Sequence, residues 1–156
     1  MLIEIEQAAG EAFRALGMDR VADDDPGSPE ELAPYVEDGR AFVAVDATDR
    51  PVAYLLVETV DGAANIEQVS VLPEHAGHGI GRALIERAGT WAHDRGLPAL
   101  TLTTYVDVPW NGPYYERLGF HYLTADEETH GLRAIRDRER RAGLDAWPRA
   151  CMRRPL

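Results

Sequence analysis

The chain has 156 residues, 45% hydrophobic and 28% charged, which suits one globular domain spanning 1–156 with a core of its own. A formal net charge of −11 argues against a nucleic-acid partner, and no apolar run reaches the ~18 residues of a membrane span, so no membrane partner is expected. One cysteine, Cys151, and an acidic start without a basic leader (Met1-Leu2-Ile3-Glu4-Ile5-Glu6) point to a reducing cytoplasm.

The spacing of Ile5, Ala8, Ala9, Ala12, Phe13 and Leu16 predicts an opening amphipathic helix stopped by Gly17. An acidic, turn-rich stretch, Val21 to Pro29, comes next. Ser28-Pro29-Glu30-Glu31 reads as a helix start, with Ser28 as N-cap and Glu31 at the third position. Gly39 to Asp46 and Pro51 to Val60 read as strands joined by a hairpin at Ala47–Arg50. Asp61-Gly62 is a second tight turn before a third strand, Asn65 to Val71. A helix then runs from about Ile80 to Arg95, with Ile80, Leu84, Ala88, Trp91 and Ala92 on one face, stopped by Gly96. The β-rich segment Leu100 to Tyr105 then lies parallel to the third strand. A short helix Pro113–Leu118, a strand Phe120–Leu123, a charged helix Gly131–Ala142 and a last strand Arg149–Arg153 complete the chain. The pattern predicts an α/β (α+β) fold, a mixed sheet covered by helices.

The segment Gly77-His78-Gly79-Ile80-Gly81-Arg82 lies between a strand and a helix. Glycines there permit close approach, and the N–H groups at the helix start can cup an anion. A dinucleotide fingerprint would want a third glycine or alanine at position 82, where Arg82 stands, and a P-loop would need Gly-Lys-Ser/Thr. A glycine-rich helix entry that binds nothing is the alternative. The net acidity works against a polyphosphate, so such a ligand needs a local site built of backbone. The same acidity would help a cationic amine approach, or would serve solubility alone.

The turn gains meaning from a second segment some thirty residues further along the chain. "QVSVLPEHAGHGIGRALIERA" and "PWNGPYYERLGF" together resemble the GNAT acetyltransferase superfamily. The first resembles its acetyl-CoA motif; the second resembles its tyrosine-to-Gly-Phe helix end, here Tyr115 to Gly119-Phe120. Three departures stand out. Ala76 occupies a position where the family usually has Arg or Gln. The spacing from Asn111 to Tyr115 is short. The first helix begins almost at once after Met1, which implies a missing or vestigial first strand, natural or set by the choice of start. That leaves Gly39–Asp46 as a sheet edge and a candidate homodimer surface.

The resemblance implies a GNAT-like, mostly antiparallel sheet with strands splayed at the cofactor cleft. It implies acetyl-CoA as donor, with pantetheine along the backbone of Val69 and Val71. The pyrophosphate would lie on the N–H groups of Gly77, His78, Gly79, Gly81 and Arg82, with Asn111 on the cofactor arm. The Val69 N–H would polarise the acetyl carbonyl. The acceptor would be a primary amine of a small, cationic molecule. The alternatives are a protein or peptide amino-group acetyltransferase and a non-catalytic acyl-CoA sensor. A lysine-like amine (pKa ~10.4) costs roughly 4–5 kcal/mol to hold neutral at pH 7, so a base is needed. Glu67 is the first candidate, acting through water, with Asn65 or a water chain as alternatives. A bulge in its strand would favour Gln68 or Ser70 instead. Tyr115 is the candidate acid at the leaving sulfur, although a phenol is the weaker acid, so its role could be hydrogen bonding alone. Asp23, Asp24, Asp25, Asp107 and Trp110 are candidates for the acceptor mouth, or else a plain acidic loop. Cys151 reads as buried filler. The five histidines lack metal-ligand spacing, so no metal is expected. The arginines from Arg133 to Arg141 read as a solvated helix face.

Overall fold

The opening stripe of apolar residues forms helix α1 (Leu2–Gly10), then tightens into a 3₁₀ segment, Glu11–Leu16, ended by Gly17 in the left-handed region. The computed structural model describes residues 1–156 as two compact units, Met1–Val57 with Ile66–Ala88 and Glu58–Asn65 with Gly89–Leu156.

In the first unit a short helix, α2 (Asp19–Ala22), occupies the start of the stretch expected to be turns alone. Helix α3 (Pro29–Glu37) begins on a complete capping box. The Ser28 hydroxyl accepts from the Glu31 N–H at 3.2 Å, and the Glu31 carboxylate accepts from the Ser28 N–H at 2.8 Å. These bonds satisfy two N–H groups that a helix start leaves orphaned. Strands β1 (Ala41–Val45) and β2 (Pro51–Val60) pair antiparallel, with a register shift at Ala44/Val45. Ile5, Val52, Tyr54, Leu56 and Leu72 form this unit's core, with Leu2, Leu32 and Tyr35 packed on it. Alternate residues of β2 therefore look towards α1 and α3.

Asp61 and Gly62 both take positive φ (50° and 76°), which reverses β2 into β3 (Ala63–Val71). Helix α4 (Ile80–Asp94) buries Leu84, Ile85, Ala88, Trp91 and Ala92, and half-buries Ile80. Ile85 widens the apolar stripe beyond the residues expected.

In the second unit β3 pairs parallel with β4 (Ala99–Tyr105) at Ala64/Leu100 and Asn65/Thr101. Helix α5 (Gly112–Arg117) ends at Gly119, β5 (His121–Tyr122) is short, and α6 (His130–Arg141) precedes β6 (Arg149–Pro155). β6 runs antiparallel to both β4 and β5. The sheet order is β1-β2-β3-β4-β6-β5, mostly antiparallel and open, with β1 at one edge and α1 as the first element of the chain. No helix is long and apolar enough to cross a membrane.

One expectation needs correction. Arg136 on α6 is not on a solvated face, because its side chain is 5% exposed. It donates to Glu139 at 2.9 Å and forms a fork to Asp145 at 2.7 and 2.9 Å. Arg149 donates to the same Glu139 at 3.1 Å. A guanidinium leaves water only where such planar acceptors meet it.

Candidate active site

β3 ends at Val71, Leu72 is buried, and a 3₁₀ turn, Pro73–His75, carries the chain to the exposed residues Ala76–Gly79. Gly77 and Gly79 both have φ +78°, and His78 between them stays outside the positive region. That alternation of hand is the backbone form in which successive N–H groups converge on an anion. L side chains rarely adopt it, so the two glycines are required by geometry. A Cβ built on either would meet nothing within 4 Å, so the turn opens outwards. The Gly79 carbonyl accepts from the Ala83 N–H at 3.0 Å, closing the first turn of α4. The N–H groups of Ile80, Gly81 and Arg82 precede that bond and lack an intrahelical acceptor, and the helix dipole adds positive potential at the same end. His78 and Arg82 are exposed; Gly81 is half-buried.

The family model described as Acetyltransferase (GNAT) family matches residues 4–120, which include this turn. The chain belongs to the GNAT acetyltransferase family. A streptothricin acetyltransferase from Streptomyces lavendulae is 36% identical over 127 residues, covering 72% of this chain and 67% of that protein. The crystal structure of a nourseothricin acetyltransferase is 25% identical with a TM-score of 0.56, covering 74% of this chain and 64% of that one. This GNAT chain thus spans about two thirds of the length of both relatives. The PaiA N-acetyltransferase of Thermoplasma acidophilum, solved with coenzyme A, shares the fold: TM-score 0.63 at 12% identity, over 99% of this chain and 91% of that one.

Along β3, Val69, Val71 and Glu67 are half-buried. Asn65 is buried, and its side-chain oxygen accepts from the Thr101 hydroxyl at 2.9 Å, which makes it a satisfied core amide rather than a free base. In the second unit Asn111 is the N-cap residue of α5 and accepts from the Thr104 hydroxyl at 2.9 Å through its side-chain oxygen. Its carbonyl accepts from the Tyr115 N–H at 2.9 Å. Gly112 beside it is obligatory, since a Cβ would press on the Tyr122 hydroxyl and come within 3.1 Å of the Tyr105 and Val106 carbonyls. Tyr115 is buried and packs edge-on against Tyr114 and Phe120, with centroids 5.4 and 5.8 Å apart. Burial, and secondarily Tyr114, holds its phenol well above the ordinary tyrosine value, with Arg149 opposing. This weakens it further as a full proton donor and leaves it suited to hydrogen bonding.

Of the acidic candidates, Asp23 is tied to Arg14, and Asp24 and Asp25 are exposed. Asp107 and Trp110 are exposed in the second unit. Cys151 is buried, and burial, then Glu128, pushes its thiol up to about 12, so it offers no thiolate at neutral pH.

Sequence reasoning missed a polar chain through the first unit's core. Tyr54, at the centre of β2, is 0% exposed, and its hydroxyl donates to Glu6 of α1 at 3.0 Å. Burial holds Glu6 above the usual carboxylate range, aided by Asp24 and Glu31 and opposed by hydrogen bonds from Tyr54 and the Gly27 backbone. A phenol in the otherwise apolar run PVAYLLV was the available signal, because a buried hydroxyl must find a partner.

Proposed function

We propose that this chain transfers an acetyl group from acetyl-CoA to a primary amine of a small cationic acceptor of the streptothricin class, by direct attack. The observation that carries the reading is the Gly77–Gly79 turn, with its alternating φ, opening on the start of α4. The family membership supports acetyl transfer, and the 36% identity to a streptothricin acetyltransferase supports the acceptor class.

In this reading the N–H groups of Gly77, His78, Gly79, Gly81 and Arg82 hold the donor's pyrophosphate without spending a charged side chain. The backbone of Val69 and Val71 bonds the pantetheine. The Val69 N–H receives the charge that develops on the acetyl oxygen. The Asn111 side-chain oxygen is already engaged by Thr104, so its amide hydrogens serve the cofactor arm. The Tyr115 hydroxyl hydrogen-bonds the departing sulfur. Glu67, half-buried on β3, is the first candidate for the base.

The test is CoA release from acetyl-CoA with streptothricin as acceptor. Turnover that falls in Tyr115→Phe, with acetyl-CoA affinity retained, supports the scheme. Tight acetyl-CoA binding without release on streptothricin or a panel of amines and peptides would replace it with an acyl-CoA sensor. Turnover confined to peptides would reassign it to protein amino groups.

A further inference from the structure

The hydrogen bonds around Tyr54 share one direction. The Gln68 amide donates to the Ser70 hydroxyl oxygen at 2.8 Å. Ser70, 4% exposed, hydrogen-bonds the Tyr54 phenol, and it must donate there because the single Tyr54 hydroxyl proton is given to Glu6. Tyr54 donates in turn to Glu6 at 3.0 Å. Every bond thus points from β3 towards the carboxylate on α1. A hydroxyl oxygen has two lone pairs. Gln68 occupies one of them on Ser70, which leaves one to accept a proton from outside. The groups that act on Glu6 include Tyr54, Asp24, Glu31 and the Gly27 N–H.

We propose that Ser70, Tyr54 and Glu6, in place of Glu67, form the exit path for the proton that the acceptor ammonium must lose, with Ser70 as the entry and Glu6 as the final holder. This rests on the amine-acetylation reading above. The ammonium gives one proton to the Ser70 oxygen as the Ser70 proton passes to Tyr54 and the Tyr54 proton to Glu6. Both hydroxyls end neutral, the amine is neutral and Glu6 is protonated. The amine nitrogen then bonds the acetyl carbon, the carbon–sulfur bond breaks, and the nitrogen's second proton ends on the sulfur. Glu6, half-buried, returns its proton to water. A carboxylate held above its usual range is better matched to this task at neutral pH than an ordinary one. Glu6 and Tyr54 are positioning residues here, acting through Ser70.

The test compares Glu6→Gln, Tyr54→Phe and Ser70→Ala in acetylation of streptothricin across pH. Glu6→Gln still offers Tyr54 an oxygen acceptor, so it isolates ionisation from packing. The expected result is a loss in kcat of about a hundredfold in all three, with the acetyl-CoA KM unchanged. The acidic limb of the wild-type pH profile should vanish in Glu6→Gln. Wild-type kcat and an unmoved acidic limb in that variant would overturn the proposal. If the wild type acetylates no streptothricin, the acceptor reading fails by itself, and the path is tested by ¹³C NMR titration of the Glu6 carboxyl in the CoA-bound protein. Ser70→Ala should then move that titration through Tyr54. An unmoved titration refutes the path whatever the acceptor.

Discussion

Replacing Gly79 by alanine separates the cost of a strained turn from the loss of an anion site. The residue sits at φ +78°, where an L side chain costs about 1–2 kcal/mol. No clash adds to this, because the new methyl would meet nothing within 4 Å. In a chain of this size that cost lowers Tm by roughly 2–8 °C. Gly39 supplies the matched control: its φ is +68°, its added methyl also meets nothing, and it precedes β1 rather than α4. Gly39→Ala should therefore cost the same stability. If the N–H groups around Gly79 form the diphosphate cradle, the methyl intrudes on the ligand's side of the turn and the dihedral relaxes away from convergence. CoA affinity should then fall at least about tenfold, or ~1.4 kcal/mol, in Gly79→Ala alone. Titration calorimetry with CoA and thermal melts on the three proteins decide the matter. Equal CoA affinity in both variants and the wild type would refute the cradle.

The two cores carry expectations of their own. Glu139→Ala removes the carboxylate shared by two guanidinium groups, Arg136 and Arg149, with side chains 5% and 10% exposed, and leaves Arg136 its fork to Asp145 and Arg149 its bond to Thr103. Breaking such a buried network costs about 3–5 kcal/mol, so Tm should drop by roughly 6–20 °C; a drop within error would mean the network is dispensable. The Cys151 thiol, pushed up to about 12, should resist a thiol reagent at pH 8 in the folded protein and react once denatured. Rapid native labelling would contradict its burial. The raised Glu6 carboxyl has a definite sign in stability. Between its unfolded and folded values the native state holds more protons, so stability falls as pH rises through that window. Glu6→Gln removes the penalty, and its Tm relative to wild type should increase from pH 4 to pH 7. A relative Tm that shrinks over that range would reverse the assignment.

What the sequence makes legible is whatever local chemistry decides. The Ser28–Glu31 box, the Asp61-Gly62 reversal and the Gly77–Gly79 turn each rest on residues within four positions of one another, and each forms as its residues predict. β2 matches its expected bounds because its apolar run is flanked by turn residues on both sides. The edge position of β1 also agrees with reading the first element as a helix. Non-local partners are what the sequence hides. Arg136 looks like one more charge in a basic run until Asp145 and Glu139 meet it. The shift of Glu11–Leu16 to 3₁₀ geometry comes within a stretch whose apolar spacing continues the helical period to Leu16, and the extra helix α2 lies in a stretch that reads as turns. Glu6 looks like an ordinary helix-surface acid, and only the 48-residue link to Tyr54 reveals otherwise.

The charge balance explains why the proposed donor site should be made of main chain. At a net charge of −11 the protein repels a polyphosphate at long range, and cationic side chains gathered to offset this would also repel a cationic acceptor. Peptide N–H groups escape the conflict. They carry only partial charge, act over a few ångströms, and leave the field beyond the ~8 Å screening length acidic. Ala76, which brings no charged side chain to the turn, fits the same division. On the proposed reading the turn binds its anion by geometry, while the rest of the surface stays negative for the amine. An arginine at position 76 would add affinity for the donor at the expense of that separation.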